Sequence, residues 1–225
     1  METFDCSDAA QRATGIASAI STLKSGRLVV LPTDTVYGLG ADAFSSDAVA
    51  ALLAAKGRGR NMPVPVLVGS WSTIDGLVYS VPPAARLLIE AFWPGALSLV
   101  VRQAPSLSWD LGDANGTVML RMPLHPVAIE LLREVGPMAV SSANMSGQPA
   151  AVTAEEARAQ LGQLVDVYLD AGPSVRQSAS TIVDLTGPTP KVLRQGPITA
   201  DQIAGVLGVG AETLVSGADG ATAAG

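Results

Sequence analysis

The sequence predicts one α/β domain built on a mixed sheet, and three observations carry that prediction. Helical and strand patterns alternate along 225 residues with no internal repeat. Several successive strand patterns are joined by segments too short for a crossover helix, so some neighbours must be antiparallel. The length is enough to bury a full core in a single domain.

Each element has a local reason. Residues 7–25 carry Ala10, Ile16, Ala17, Ile20 and Leu23 near helical spacing, with Ser7 as N-cap and Gly26 as stop. Leu28 to Leu31 is a short apolar strand ended by Pro32. A helix over 47–56 is capped by Ser45 or Ser46, and Val64 to Val68 is a strand. Pro83 to Phe92 is helical; Leu97 to Val101 and Val118 to Arg121 are strands. Val127 to Val135 is a helix and Met138 to Ser141 a strand. Thr153-Ala-Glu-Glu156 is a capping box opening a helix to about Leu161. Val165 to Leu169, Thr181 to Leu185 and Val192 to Arg194 are strands, and Thr199-Ala-Asp-Gln202 caps a last helix. The domain is expected to span 1–207, with 208–225, rich in Gly and Ala, as a disordered tail.

Composition excludes several functions. Fourteen Lys+Arg against 20 Asp+Glu give a net charge of −6, which disfavours a bulk nucleic-acid binder. No apolar run reaches the ~18–20 residues of a spanning helix. Met1-Glu-Thr-Phe-Asp5 lacks the basic start of a signal peptide, so a cytoplasmic protein is expected. A lone Cys6 and a lone His125 exclude a disulfide framework and a cysteine- or histidine-rich metal site.

Familiar loops fail. Lys24-Ser25 lacks the glycines of a phosphate-binding P-loop. Gly38-Leu-Gly-Ala-Asp-Ala43 fits a loose dinucleotide pattern but does not open a helix directly. Ser21-Thr-Leu-Lys24 lies inside a helix without partner motifs. Four polar clusters remain. Pro32-Thr-Asp-Thr-Val-Tyr-Gly-Leu-Gly40 follows a buried strand and suits close backbone approach to a small ligand. Lys56-Gly-Arg58-Gly-Arg60 gathers cations at a helix end, suiting a polyphosphate or simply the helix dipole. Ser141-Ser-Ala-Asn144-Met-Ser-Gly147 follows a strand, where open α/β sheets place ligands beyond the strand ends. Ser180-Thr181 enters a strand, and Lys191-Val-Leu-Arg194-Gln-Gly196 carries an arginine at another strand's end.

With Trp93-Pro-Gly95, Arg121-Met-Pro-Leu-His-Pro126 and Ser180-Thr-Ile-Val-Asp184, these segments make the chain resemble the Sua5/YrdC/YciO family from about Gly26 to Gly196. The resemblance implies a twisted open sheet flanked by helices, with a large concave active-site cleft. It implies an enzyme, a threonylcarbamoyl-AMP synthase of the short bacterial form. Such an enzyme joins L-threonine, bicarbonate or CO2 and ATP, releases pyrophosphate, and feeds N6-threonylcarbamoyladenosine formation on tRNA by separate transfer proteins. It further implies Thr35, Arg121 and Ser180 at threonine, with Lys56, Arg58, Thr117, Ser142, Asn144 and Arg194 at ATP. Of these, Lys56, Arg58, Ser142 and Asn144 are the expected catalytic set. This chain departs from the family at Gly59, where many members carry Pro, at Met62-Pro63 in place of Asn-Pro, at Leu67 in place of a histidine, and at Ala171 in place of a glycine.

The chemistry accounts for the residue types. A neutral amine captures CO2 without a covalent enzyme intermediate. The harder task is holding a carbamate against a triphosphate, which cations and hydroxyls do by position and charge. Mg2+ is expected on the ATP phosphates, with few or no protein ligands. The alternatives are an RNA-binding module and a homologue with different acyl-adenylate chemistry.

Overall fold

The computed structural model describes residues 1–215. In chain order these form β1 (Glu2–Asp5), α1 (Ala9–Lys24), β2 (Val29–Leu31), β3 (Gly38–Asp42), α2 (Ser46–Ala55), β4 (Val66–Leu67), α3 (Pro83–Phe92), β5 (Leu97–Arg102) and β6 (Thr117–Arg121). Then follow α4 (Pro126–Val135), β7 (Met138–Ser142), α5 (Ala154–Leu161), β8 (Val167–Asp170), β9 (Thr181–Asp184), β10 (Lys191–Arg194), α6 (Ala200–Leu207) and α7 (Ala211–Val215). The strands form one mixed sheet in the order β1-β8-β2-β3-β7-β4-β6-β5-β9-β10. No helix among the described residues is long and apolar enough to cross a membrane.

The helices start where their caps put them. Asp8, one residue past the expected Ser7, accepts from the Gln11 amide and caps α1, while Asp5 holds the Ser7 hydroxyl at 2.6 Å. Ser45 caps α2. Thr199 and Gln202 form the full reciprocal box on α6. At α5 the box is half-formed, because Glu156 reaches back to the Val152 amide rather than to that of Thr153.

Several regular pieces escape the sequence pattern. β1 has one apolar residue, Phe4, and exists because β8 offers it a parallel edge. A 3-10 turn covers Trp71–Gly76. β3 begins inside the Pro32–Gly40 segment that reads as a loop. It pairs antiparallel with both β2 and β7. A Cβ at Gly38 would stand 2.6 Å from Val140, and one at Gly40 would stand 2.5 Å from Met138. The glycines therefore let neighbouring side chains lie across this strand, which removes the apolar alternation that marks strands. The Gly/Ala-rich stretch also departs from expectation, since Ala211–Val215 is helical with Leu214 buried. Residues 216–225 lie outside the described residues.

The two faces of the sheet are covered unequally. Val30, Leu39, Val66, Leu99, Leu120 and Val183 face one large core closed by α2, α3, α5 and α6. Val29, Leu31, Leu67, Met138, Val140, Val167 and Leu169 face a smaller core closed by α1 and α4. Because successive strand residues point to opposite faces, this second set marks the opposite side. α1 and α4 pack against each other and cover only part of that side. The helices leave the remainder of that face uncovered.

Candidate active site

The open part of this face is the floor of a cavity of about 230 Å3. Gly38, Pro65, Leu67, Met119, Val140 and Ile182 form its base. These come from five strands or their immediate starts, so the sheet face itself forms the cavity floor. The strand-end residues Arg121, Ser141, Ser142 and Ser180 line the same cavity. The loop between β2 and β3 folds over that face and brings Thr33 and Thr35 to the cavity.

Polar groups gather at two poles. Arg121 pairs in register with Leu67, and Leu67 with Met138. Ser142 lies opposite Gly38 at the other end of β7. Four residue steps of strand, roughly 13 Å, separate those levels.

At the first pole Arg121 is buried. Its Nε donates to the Gly95 carbonyl at 2.9 Å, its Nη1 to Thr35 Oγ1 at 2.8 Å and its Nη2 to Asp34 Oδ1 at 2.5 Å. The side chains of Arg121 and Asp34 are only 8% and 5% exposed, so this is an ion pair in low dielectric. Burial pulls the guanidinium below the usual arginine range, and Asp34 opposes that shift. Asp34 Oδ1 also accepts the Leu124 amide. Its Oδ2 is buried without a hydrogen bond, 4.0 Å from Nε of Arg176. One N–H remains on each of Nη1 and Nη2 for a ligand. Beside them Ser98 and Ser180 share a hydroxyl bond of 2.8 Å. Arg194 donates from Nε and Nη2 to the Ser180 carbonyl. Arg194, expected with the nucleotide set, thus stands with Ser180 of the threonine set.

At the second pole, Arg58, Ser141 and Ser142 line the cavity. Arg58 donates from Nη1 to Ser141 Oγ at 3.2 Å, and its Nε is buried with no partner. Burial pulls its pKa down. A half-satisfied, desolvated guanidinium on a cavity wall favours an arriving anion.

The three cations after α2 take separate directions. Arg60 is exposed and grips Asp110 with two bonds of 2.8 and 2.9 Å. Lys56 is 2% exposed and does not reach the cavity. Its Nζ donates to the Ser142 carbonyl at 2.5 Å, the Asn144 carbonyl at 2.6 Å and Asn144 Oδ1 at 3.2 Å. Burial, and then Arg58, pull this amine down to about 8. Asn144 also stands behind the wall, its Nδ2 donating to the carbonyls of Met145 and Gln148. Thr117 shares a strand face with Met119 and Arg121 but donates to the Ala114 carbonyl outside the cavity.

Of the residues expected at the site, Thr35, Arg58, Arg121, Ser142, Ser180 and Arg194 therefore line one cavity, and Lys56, Asn144 and Thr117 do not. Thr33 and Ser141 fall within clusters that the sequence singles out without a role of their own, whereas Ser98 as a lining residue and Asp34 as the partner of Arg121 were missed. Ser98 carried a signal, being the polar residue alternating with buried Leu97 and Leu99. The cavity's donors are guanidinium and hydroxyl groups. That set suits phosphate and carboxylate oxygens and does not fit a protein-held divalent cation, which wants several carboxylate or carbonyl ligands.

Comparison with known proteins gives a consistent pattern. A family model named for Sua5, YciO and YrdC, described as "Telomere recombination", matches residues 21–196. The chain is 74% identical over 213 residues to a Mycobacterium tuberculosis protein provisionally named threonylcarbamoyl-AMP synthase, covering 95% of this chain and 98% of that one. It is 40% identical over 195 residues to the threonylcarbamoyl-AMP synthase of Bacillus subtilis, covering 86% of this chain and 56% of that one. Among solved structures it is similar to P. abyssi Sua5 complexed with L-threonine, with a TM-score of 0.86 and 30% identity. That match covers 92% of this chain and 61% of the other, so the chain spans about three fifths of the archaeal protein.

Proposed function

The chain belongs to the Sua5/YciO/YrdC family, and we propose that it makes threonylcarbamoyl-AMP from L-threonine, bicarbonate or CO2 and ATP, releasing pyrophosphate. The observation that carries this reading is one cavity with a cationic, hydroxyl-bearing pole at each end and an apolar floor between. Two anionic reactants that repel one another in water need such an arrangement to meet.

Threonine is assigned to the pole of Arg121, Thr35 and Ser180. The free N–H groups of Arg121 take its carboxylate as a fork, and the Ser98–Ser180 pair supplies hydroxyls at the same end. The nucleotide phosphates are assigned to Arg58, Ser141 and Ser142, with Arg194 closing the threonine end. The amine nitrogen bonds to the carbon of CO2 and loses a proton. A carbamate oxygen then bonds to the α-phosphorus while the bridge to the β-phosphate breaks and pyrophosphate leaves. Arg58 stabilises charge that grows on the phosphates, and the apolar floor of Leu67, Met119 and Ile182 keeps competing water low. Mg2+ is proposed to travel with ATP, and no step is routed through it. Thr117 stays bonded to Ala114, and no contact is proposed for it. The proposed setting is the cytoplasm, where the product passes to tRNA threonylcarbamoyl-transfer proteins.

The test is pyrophosphate release from ATP, Mg2+ and bicarbonate, with and without L-threonine, with serine and alanine as controls. Release that needs both bicarbonate and threonine supports the reading. Release indifferent to threonine would point to different acyl-adenylate chemistry, and a salt-sensitive shift of tRNA with no release would point to an RNA-binding module.

A further inference from the structure

Lys56 is a buried cation with every donor engaged, and it does not line the cavity. A lysine ammonium has three protons, and all three are engaged: one on the Ser142 carbonyl, one on the Asn144 carbonyl and one on Asn144 Oδ1. The backbone reinforces this link, since the Ser146 amide donates to the Lys56 carbonyl at 2.9 Å. Asn144 ties the same turn from inside through Met145 and Gln148. The end of α2 and the turn after β7 are thus one bonded unit. Arg58 leaves that unit two residues after Lys56, and Ser142 is the residue whose carbonyl Lys56 holds.

We propose that Lys56 is a positioning residue, whose ammonium locks the Ser142–Asn144 turn to the end of α2 and so sets Arg58 and Ser142 on the cavity rim without touching the nucleotide. This rests on the assignment of that rim to ATP, and it departs from the direct phosphate contact that the family resemblance implies for Lys56. The energetics favour a fixed strut. An ammonium with 2% exposure survives only while its bonds are kept. Moving it to a phosphate would strip two backbone carbonyls and an amide oxygen of their partner at once.

The test uses Lys56→Met and Lys56→Arg beside the parent protein. AMP, ADP and ATP binding is measured by calorimetry, with amide hydrogen exchange followed over residues 142–148. For a strut, Lys56→Met weakens all three nucleotides by a similar factor, on the order of 10-fold, and speeds exchange of the Asn144 and Ser146 amides. KM for threonine stays within about twofold while kcat and kcat/KM for ATP fall. Lys56→Arg recovers part of both. Asn144→Leu added to Lys56→Met costs little more than either change alone, because both cut one network. A loss confined to ATP, with exchange unchanged, would overturn the proposal. So would a crystal of the parent protein with α,β-methylene-ATP that puts Nζ on a phosphate oxygen, a result that does not depend on any variant folding. The binding and exchange arms do not require threonine-dependent turnover. If that turnover fails while they hold, the reaction assignment falls and the strut stands.

Discussion

At the scale of single residues, the site separates charges that capture ligands from charges that hold the wall. Arg58 has an unpartnered Nε, whereas Arg121 already grips Asp34, Thr35 and Gly95. Arg58→Ala should therefore lower kcat/KM for ATP by about 100-fold or more, equivalent to roughly 2.7 kcal/mol, while the fold survives. Arg121→Ala should raise KM for threonine more than KM for ATP, and steady-state kinetics with each substrate varied decides it; the reverse pattern overturns the assignment. Asp34 behaves differently, since removing it strands a buried guanidinium. Asp34→Ala should cost about 3–5 kcal/mol of stability, read by urea unfolding, and a loss below 1 kcal/mol would mean that the pair is not buried in solution. Cys6 gives a prediction tied to pH. Burial pushes its thiol from 9.0 up to about 11, so at pH 8 the thiolate is about 100-fold scarcer than in an unfolded chain. Labelling by a thiol reagent at pH 8 should be slower than that of the unfolded protein by at least this factor, and should speed up as pH rises toward 11. Little of this could be read from sequence. Arg58 and Lys56 look alike there, two residues apart, and only the fold shows that one faces the cavity and the other faces backbone carbonyls 86 and 88 residues away.

At the scale of elements, strands and helices with their own apolar pattern were legible, and those that depend on neighbours were not. α3 runs from Pro83 to Phe92, as the pattern places it, and α6 starts at its capping box. β1 and β3 were invisible because β8 and β7 supply what their own sequences lack. Gly196 shows the same dependence at a junction. A Cβ there would stand 2.3 Å from the Ala179 carbonyl and 2.6 Å from the Thr181 amide. Thr181 Oγ1 accepts from the Gly196 and Ile198 amides and fixes the chain leaving β10. Cavity residues flank that junction, Ser180 just before β9 and Arg194 at the end of β10. Gly196→Ala should therefore force them apart, destabilising the protein by roughly 1–3 kcal/mol and raising KM for threonine. Wild-type kinetics in that variant would mean that the junction adapts without moving the site.

At the scale of the whole molecule, the functional feature is an incompletely covered sheet. Motif order alone supported the α/β domain and the family, because those depend on local residues. The face on which the site lies follows instead from α1 and α4 covering only part of one side, which no local window encodes. The cavity draws residues from the β2–β3 loop, α2's end, β4, β5, β6, β7, β9 and β10, so a ligand there touches most of the sheet. A ligand that binds only the folded chain must then stabilise all of it. At 100 times its Kd, ATP should contribute about 2.7 kcal/mol, which for a chain of this size raises Tm by roughly 5–10 °C. Threonine, bound at the opposite pole, should give its own shift. The two poles make the prediction specific. Arg58→Ala should remove most of the ATP shift and keep that of threonine, and Arg121→Ala should do the opposite. Because the net charge is −6, raising salt should shrink the ATP shift by screening the rim cations, not by relieving a basic surface. If both variants lose both shifts equally, the cavity is a single undivided site, and the separation of substrates along the sheet face is wrong.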